Sequence, residues 1–292
     1  MTLRHLKVFV AVCELNSITK AAEKLYIAQP AVSCTIKELE EYYNLKLFDR
    51  ISKRLYLTEA GKILLGYAMH IVSLFEEMEG NVRDFNKPGR LRIGSSITIG
   101  TSFLPVYVKN FNTQYPQVEV YVTIDSSDII EKKILQNELD FALIEGIVHL
   151  EGIINEAYMD DELIIICSPD HPFCKYESVT LSRFTAEKFL LREKGSGTRE
   201  LFDNVLASLG YSVMPTWEST STLALINAVI NGHGISVLPY MLVKDMLNEG
   251  RISSIQIDGL RFKRKFNIIY HKNKFLTASA KAFIEMCKTS NL

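Results

Sequence analysis

Residues 29 to 37 carry side chains whose types and spacing suit the reading of DNA bases. Gln29 can pair with adenine through two hydrogen bonds, Ser33 can bond to either kind of base edge, and Lys37 can reach phosphate or guanine. Short side chains between them would let the backbone approach the floor of a groove. A solvated helix face could carry the same residues. The predicted base-reading set is Gln29, Pro30, Ala31, Ser33, Cys34 and Lys37.

A helix is needed to hold that set outward, and the sequence supplies one. Val32, Ile36 and Leu39 recur at helical spacing, so they form a stripe that docks on a core opposite the polar face. Two helices precede it, the second of which starts at the N-cap Ser17 and packs through alanines. After a short turn, Pro30 presets φ for the first turn of the third helix. This arrangement predicts a helix-turn-helix, whose last helix enters a major groove.

A β-hairpin next to that helix is predicted for residues 45 to 57. Leu45, Leu47 and Phe48 are expected to bury against the helices, while Leu55 and Leu57 alternate as a strand beyond a basic turn. Cations on such a wing suit the flanking phosphates or the minor groove. The predicted DNA-contacting cations of the wing are Arg50, Lys53 and Arg54.

Charge is distributed unevenly along the chain. The formal net charge is -1, yet residues 1–57 contain nine Lys and Arg against six Asp and Glu. This basic excess favours nucleic acid as a partner of the N-terminal part, although a solvated surface could carry it too.

The composition also excludes several classes of protein. The five cysteines are scattered, without a CxxC pair or a histidine at metal-ligand spacing, so we expect a reducing compartment, no structural metal and no cofactor. No apolar run reaches the length of a membrane span and the N-terminus is interrupted by charge, so we expect a cytoplasmic protein with no membrane partner. The motifs GxSxG, HExxH, Walker A and GxGxxG after a strand are missing, which argues against an enzyme.

A long amphipathic helix is predicted to follow the wing. It starts at the N-cap Thr58 and runs to the sequence NKPG, over roughly 28 residues or about 42 Å. So long an apolar stripe needs a cover, for which a partner chain or the chain's own C-terminal domain are the alternatives. The stripe consists of Ile63, Tyr67, Ile71, Leu74, Met78, Val82 and Phe85.

The C-terminal two thirds alternate strand and helix patterns, which predicts an α/β fold with a mainly parallel sheet. Two similar units in succession suggest a cleft between two lobes. Hydroxyl side chains stand at three helix starts that follow strands, where N–H groups can bind anionic oxygens. Plain N-capping is the alternative reading. The candidate ligand-binding hydroxyls are Ser95, Ser96, Thr98, Ser196, Thr198 and Thr220.

The segment LNSITKAAEKLYIAQPAVSCTIKELEEYYNLKLFDRISKRLYLTEAG resembles the winged helix-turn-helix of LysR-type bacterial transcriptional regulators. It matches the family pattern AAxxLxxxQPAVSxxIxxLExxxxxxLFxR followed by LTxAG. It departs at Cys34, where the family has a longer polar residue, and at Tyr43 and Asn44, where Leu-Gly is usual. The resemblance implies binding to promoter half-sites on double-stranded DNA and assembly into a homodimer or homotetramer through residues 59–87. RNA polymerase is a further candidate partner.

Residues 91–288 resemble the type 2 periplasmic-binding-protein fold that serves as the effector domain of these regulators. The resemblance implies that Ser95, Ser96, Thr98, Ser196 and Thr198 line an effector pocket, with Glu145 near its floor. A carboxylate conflicts with a simple anion site unless it pairs with Arg192, with His149 or with the ammonium group of a zwitterionic effector.

The combined prediction is a multidomain protein with three parts. Residues 1–58 form an all-α-rich winged helix-turn-helix domain, residues 59–87 a linker and dimerisation helix, and residues 88–292 a two-lobed α/β effector-binding domain. Lobe 1 comprises about 88–161 and 268–292, and lobe 2 about 162–267. The predicted function is promoter binding modulated by an anionic or zwitterionic small molecule held between the lobes. The alternative is a solute-binding or ligand-sensing protein of the periplasmic-binding type without a transcriptional role.

Overall fold

The chain folds into two compact units, which consist mainly of residues 1–87 and 88–292. The computed structural model describes residues 1–51, 54–83 and 89–290, and it gives the side chains of these except at positions 50, 51, 54, 77 and 81–83. Each unit has its own hydrophobic core.

The N-terminal unit is a three-helix module with a hairpin and a long final helix. Ser17 accepts a hydrogen bond from the main-chain N–H of Lys20, which confirms it as the N-cap of the second helix. The elements are α1 (Leu3–Leu15), α2 (Ile18–Leu25), α3 (Gln29–Tyr43), β1 (Phe48–Ile51), β2 (Arg54–Leu57) and α4 (Glu59–Arg83).

The core of this unit fixes the orientation of α3. Val32 and Leu39 are fully buried among residues of α1 and α2, and the ring of Phe9 meets that of Phe48 edge-on at 5.5 Å. The burial expected for Leu45 is wrong, since 56% of this residue is exposed. Asn44 ends α3 in the left-handed conformation, and the chain reversal there puts Leu45 on the outside of the corner.

Helix α4 leaves most of its apolar stripe exposed within its own unit. Thr58 accepts a hydrogen bond from the N–H of Gly61, which confirms it as the cap. Val82 and Phe85, the last members of the predicted stripe, lie outside the described side chains. Within the described ranges, no helix combines the length and apolarity needed to cross a bilayer. The exposed members are Ile63, Tyr67, Ile71, Leu74 and Met78.

The C-terminal unit alternates strands and helices, as predicted. Its strands are β3 (Arg90–Ser95), β4 (Glu119–Ile124), β5 (Phe141–Glu145), β6 (Ile153–Cys167), β7 (Phe189–Arg192), β8 (Pro215–Ser219), β9 (Ser236–Pro239), β10 (Ser253–Ile255) and β11 (Phe262–His271). Its helices are α5 (Ile97–Ser102), α6 (Leu104–Gln114), α7 (Ser127–Leu135), α8 (Leu181–Phe184), α9 (Gly197–Ser208), α10 (Thr222–Ile230), α11 (Tyr240–Asn248) and α12 (Ala278–Thr289), with a 3₁₀ helix at Pro172–Lys175.

The main sheet is mixed, so the prediction of a mainly parallel sheet is wrong. Its strand order is β10-β6-β11-β5-β3-β4, with β9 also paired to β6. Strand β3 runs parallel to β4 and β5, whereas β11 and β6 are antiparallel to each other and to their other neighbours. Two long antiparallel strands are needed because the chain crosses between the lobes and returns.

The two lobes of this unit surround separate apolar cores. One core packs α6 and α12 on β3 and β5 around Phe111 and Phe283, and the other packs α9 on β6 and β7 around Phe189 and Phe202. Strands β6 and β11 contribute to both. The register between them shifts at Phe266 and Asn267, which marks where one lobe gives way to the next.

Candidate functional site

The predicted base-reading residues lie together on the outward face of α3. The Nε2 atom of Gln29 is 3.4 Å from the hydroxyl of Ser33 one turn along the helix. Among the described residues, no side chain caps the start of α3, where Pro30 has no N–H and the N–H of Ala31 donates to the main-chain oxygen of Ala28 at 2.9 Å. Gln29, Pro30, Cys34 and Lys37 are exposed, and Ala31 and Ser33 are half-buried.

A neighbouring carboxylate favours the thiol form of Cys34 on this face. Its Sγ donates to Oε1 of Glu38 at 3.4 Å. This hydrogen bond and the negative charge of Glu38 raise the pKa of the Cys34 thiol above its ordinary value. Since the thiolate is the reactive form, the arrangement argues against an oxidation-sensitive switch at this position.

The wing is attached to α3 through a carboxylate near the end of that helix. Oε1 of Glu40 accepts main-chain hydrogen bonds from Leu47 at 2.9 Å and from Phe48 at 3.4 Å, and Oε2 pairs with Lys46 at 2.7 Å. Although burial raises the pKa of Glu40, these hydrogen bonds bring it below its ordinary value. Lys53 lies outside the described residues, and the side chains of Arg50 and Arg54 are outside the described set. Their predicted DNA contacts therefore remain predictions.

Replacing Gln29 with alanine should reduce operator affinity by about 1–3 kcal/mol and loosen base preference at one position, because a bidentate base contact is lost. Arg54→Ala is the contrasting variant, because the loss of a phosphate contact by this predicted wing cation should weaken binding to all sequences and reduce the salt slope by about 1. Binding to operator and random DNA is measured over a range of salt concentrations. Equal losses on both DNAs for Gln29→Ala would refute its role in base reading.

A buried polar cluster lies where β3 and β5 end in the C-terminal unit. The carboxylate of Glu145 accepts hydrogen bonds from the hydroxyls of Ser96 and of Thr98, the latter at 3.0 Å. The hydroxyl of Ser127 donates to the main-chain oxygen of Glu145 at 3.3 Å. Ser95 is also buried, but its hydroxyl donates to the main-chain oxygen of Ser96 at 3.0 Å. Two of the predicted hydroxyls therefore converge on Glu145.

The start of α9 presses on the same cluster from the second lobe. Ser196 caps this helix by accepting from the N–H of Thr198 at 3.3 Å. A Cβ atom at Gly197 would stand 2.5 Å from the main-chain oxygen of Glu145, so only glycine fits at this contact. The lobes therefore touch directly at this point.

Arg264 on β11 joins the two sides of the cluster. Its Nε donates to Oδ2 of Asp161 at 2.6 Å and its Nη1 to the hydroxyl of Thr198 at 3.1 Å, while Nη1 lies 3.9 Å from Oε1 of Glu145. Only 8% of Arg264 is exposed. Its remaining terminal nitrogen, Nη2, is buried and has no hydrogen-bond partner among the described residues. A buried donor without an acceptor lowers the stability of the folded protein unless a bound molecule accepts its hydrogen bond.

The electrostatics of the cluster favour uptake of a proton or of a cationic group. Burial raises the pKa of Glu145, against the lowering effect of Arg264. Burial also raises the pKa of Asp161, again against the lowering effect of Arg264. With both carboxylates ionised, a single guanidinium would face two negative charges. Arg264 is thus shared between two acids that both resist ionisation.

The sequence prediction missed Arg264 and Asp161. Arg264 falls in phase with Phe262 and Phe266, at a spacing of two, so the alternation already placed it on the buried face. This two-residue spacing was the sequence signal that could have identified Arg264 as a buried residue.

Other predicted contacts of Glu145 are made elsewhere. Arg192 pairs with Glu193 through two hydrogen bonds of 2.8 Å, and His149 pairs with Glu200 at 2.8 Å. The expected pairing of Arg192 or His149 with Glu145 is therefore replaced by Arg264.

Thr220 stands apart from the buried cluster. It is exposed in the turn between β8 and α10, next to Ser221, which caps α10 by accepting from the N–H of Ala224 at 3.3 Å. Its place in a pocket remains a prediction.

Comparison with known families covers nearly the whole chain. Residues 3–62 match the bacterial regulatory helix-turn-helix protein of the lysR family, and residues 86–291 match the LysR substrate binding domain. The chain belongs to the LysR family of transcriptional regulators. It is therefore a LysR-type regulator with an effector-binding domain, and the prediction of a regulator rather than an enzyme is confirmed at the level of the family.

Individual relatives agree with this assignment. This LysR regulator is 33% identical over 292 residues to the uncharacterized HTH-type transcriptional regulator YeiE of Escherichia coli K12, which covers 100% of this chain and 99% of YeiE. The regulatory domain of CcmR from Synechocystis, solved in complex with 2-PG, matches with 26% identity and a TM-score of 0.65 over 70% of this chain and 99% of that one. Full-length OxyR from Pseudomonas aeruginosa has the same fold, at 22% identity and a TM-score of 0.67, over 99% and 93% of the two chains.

Proposed function

We propose that this LysR regulator responds to a small molecule carrying an anionic oxygen, which binds between the two lobes beside Arg264. The observation that carries the proposal is the buried Nη2 atom of Arg264, a charged donor without a partner among the described residues. An anionic oxygen forms the strongest hydrogen bond with such a donor. That CcmR is solved with 2-PG supports a small-molecule effector for this domain.

The hydroxyl groups of the cluster extend the same site. Ser96, Thr98 and Thr198 come from both lobes and already bond to charged side chains, so they can exchange these partners for oxygens of a ligand. The protonation state of Glu145 determines whether a zwitterionic or a purely anionic ligand fits the site. A zwitterion would place its ammonium group against the carboxylate, whereas a plain anion requires Glu145 to be protonated, which its raised pKa favours.

DNA binding is proposed to use α3 and the wing. Gln29, Ser33 and Lys37 approach base edges, and the wing cations Arg50, Lys53 and Arg54 contact the flanking backbone. The family match and the exposed polar face of α3 support this assignment.

Assembly is proposed to use the exposed stripe of α4. Large apolar residues at helical spacing, including Tyr67, Leu74 and Met78, are each about half exposed or more within their own unit. A second copy of α4 would cover them and pair two DNA-binding modules. In this proposal residues 1–58 bind DNA, 59–87 pair the chains as a homodimer or homotetramer, and 88–292 bind the effector.

The proposed mechanism is a shift between two arrangements of the lobes. The effector can bias this equilibrium only by as much as its affinities for the two arrangements differ. Closure of the lobes around a ligand would alter the half-site spacing or DNA bend that a paired regulator favours.

A thermal-shift screen of the full chain tests the effector site. Anionic metabolites, amino acids and inorganic oxyanions are added, and a true ligand at 100 times its Kd should stabilise the C-terminal unit by about 2.7 kcal/mol. Ser96→Ala and Thr198→Ala should weaken the response. Thr101→Ala is the matched control, because Thr101 lies on α5 near Thr98 but is exposed. A ligand whose effect ignored both cluster variants would place the site elsewhere.

A further inference from the structure

Two of the five cysteines meet in the second lobe. Cys167 is the last residue of β6, and Cys174 lies in the 3₁₀ helix Pro172–Lys175. Their Sγ atoms are 3.4 Å apart, and Sγ of Cys174 also lies 3.6 Å from the main-chain oxygen of Ser168. The sequence, with its scattered cysteines, had given no sign of a pair. Neither thiol belongs to the DNA-binding face or to the cluster around Arg264.

The backbone on both sides of this thiol pair is held in place. Cys167 is fully buried in the core of the second lobe and is paired in register with Ser253 of β10. The 3₁₀ helix is anchored by Phe173, which is buried in the same core. His171 caps that helix by accepting from the N–H of Phe173 at 3.2 Å. The sulfur contact is therefore a fixed feature of a short loop.

The separation of the sulfurs is close to that of a covalent bridge. A disulfide bond is about 2.05 Å long, so the two atoms need to approach by about 1.4 Å. Rotation of the exposed Cys174 side chain can supply most of this movement, because Cys167 is enclosed by the core.

The two thiols differ in access, which assigns them different roles. Cys174 is exposed and can meet a reagent in solution, whereas Cys167 is buried. Burial raises the pKa of the Cys167 thiol, and its hydrogen bond with Cys174 raises it further. Attack on an external oxidant therefore falls to Cys174, and Cys167 is placed to react second.

We propose that Cys167 and Cys174 form an oxidation site, at which a hydroperoxide converts the two thiols into an intrachain disulfide. The thiol of Cys174 loses its proton and the thiolate sulfur attacks the terminal peroxide oxygen, so that the O–O bond breaks and the sulfur becomes a sulfenic acid. The departing hydroxide or alkoxide takes up the proton lost by the thiol and leaves as water or an alcohol. The sulfur of Cys167 then attacks the sulfenic sulfur, loses its proton and displaces the hydroxyl as water. The two thiols lose two electrons and the peroxide gains them. The proposal is independent of the effector and of DNA binding.

Oxidation of the full chain with one equivalent of hydrogen peroxide tests the site. The background carries Cys34→Ser, because Cys34 is an exposed thiol that could form bridges between chains. After blocking of free thiols, the protein is cut with trypsin and with a protease that cleaves before aspartate. Cleavage before Asp170 separates the two cysteines, so their peptides stay together only through a disulfide. We expect a linked pair that is lighter by about 2 Da than the sum of its reduced peptides and that dithiothreitol releases.

Serine variants identify the order of the two steps. In Cys167→Ser, Cys174 should stop at the sulfenic acid and be trapped by dimedone. In Cys174→Ser, Cys167 should keep its thiol at the same peroxide dose. A map of the Cys34→Ser protein that shows oxidised Cys174 beside an intact Cys167 thiol would overturn the proposal, as would two intact thiols or a bridge between chains. This map decides the question even if a serine variant at the pair fails to fold.

Discussion

Replacing Arg264 with leucine is expected to destabilise the C-terminal unit by about 3–5 kcal/mol, the range for breaking a buried ion pair by removal of one partner. The variant leaves Glu145 and Asp161 in a buried site without their shared cation, and Thr198 loses its 3.1 Å donor. An ion pair on the surface would cost at most about 1 kcal/mol when broken.

Urea denaturation followed by the fluorescence of Trp217 measures this effect. Trp217 is the single tryptophan of the chain and lies on β8 in the second lobe. Arg251→Leu is the matched control, since this side chain is half exposed, and it should change stability by less than about 0.5 kcal/mol. Adding Asp161→Leu to Arg264→Leu removes one stranded carboxylate and should restore part of the loss. A cost below about 1 kcal/mol for Arg264→Leu would show that the guanidinium is not the centre of the cluster.

Glu145→Gln is expected to make the C-terminal unit more stable at neutral pH and less dependent on pH. Burial raises the folded-state pKa of Glu145 above the unfolded value of about 4.3. The folded state therefore binds more protons than the unfolded state between these two pKa values, and stability falls as pH rises through that window. Glutamine carries no charge and keeps an acceptor for Thr98. The loss of one titrating group reduces the slope by up to about 1.4 kcal/mol per pH unit.

Urea denaturation at a series of pH values from 4 upward checks the sign as well as the size. Asp161 and Glu131 also have pKa values raised by burial, so part of the slope should survive in Glu145→Gln. Glu151→Gln is the control, because Glu151 is exposed in the same lobe. A variant that lost stability at pH 7, or whose curve became steeper, would mean that the carboxylate is held ionised in the folded protein.

The sequence was most informative where structure is local. The stripe of Val32, Ile36 and Leu39 and the cap at Ser17 determine how α3 is held, and both follow from spacing within a few residues. The candidate hydroxyls at Ser96 and Thr198 were found for the same reason, since each stands at a helix start that follows a strand. Such signals need no knowledge of distant parts of the chain.

Long-range partners were where prediction failed. Arg264 meets Asp161 across 103 positions, and the two are opposite each other only because β11 runs antiparallel to β6 in one register. Strand direction is not encoded in local alternation, which is also why the sheet was wrongly expected to be mainly parallel. The meeting of Cys167 and Cys174 depends similarly on a loop conformation that no periodicity specifies.

The attachment of the wing to α3 through Glu40 limits how DNA binding can be regulated. Because Glu40 accepts hydrogen bonds from the main-chain N–H groups of Leu47 and Phe48, we expect the helix and the hairpin to move together. If two chains pair as proposed, regulation would then have to turn one whole DNA-binding module relative to the other. With about 10.5 base pairs per turn of the duplex, displacing two modules by one base pair requires a rotation of about 34° around the DNA axis. Such a pair would thus detect the angle around the DNA axis between its two half-sites, which depends on their spacing and on the twist of the promoter.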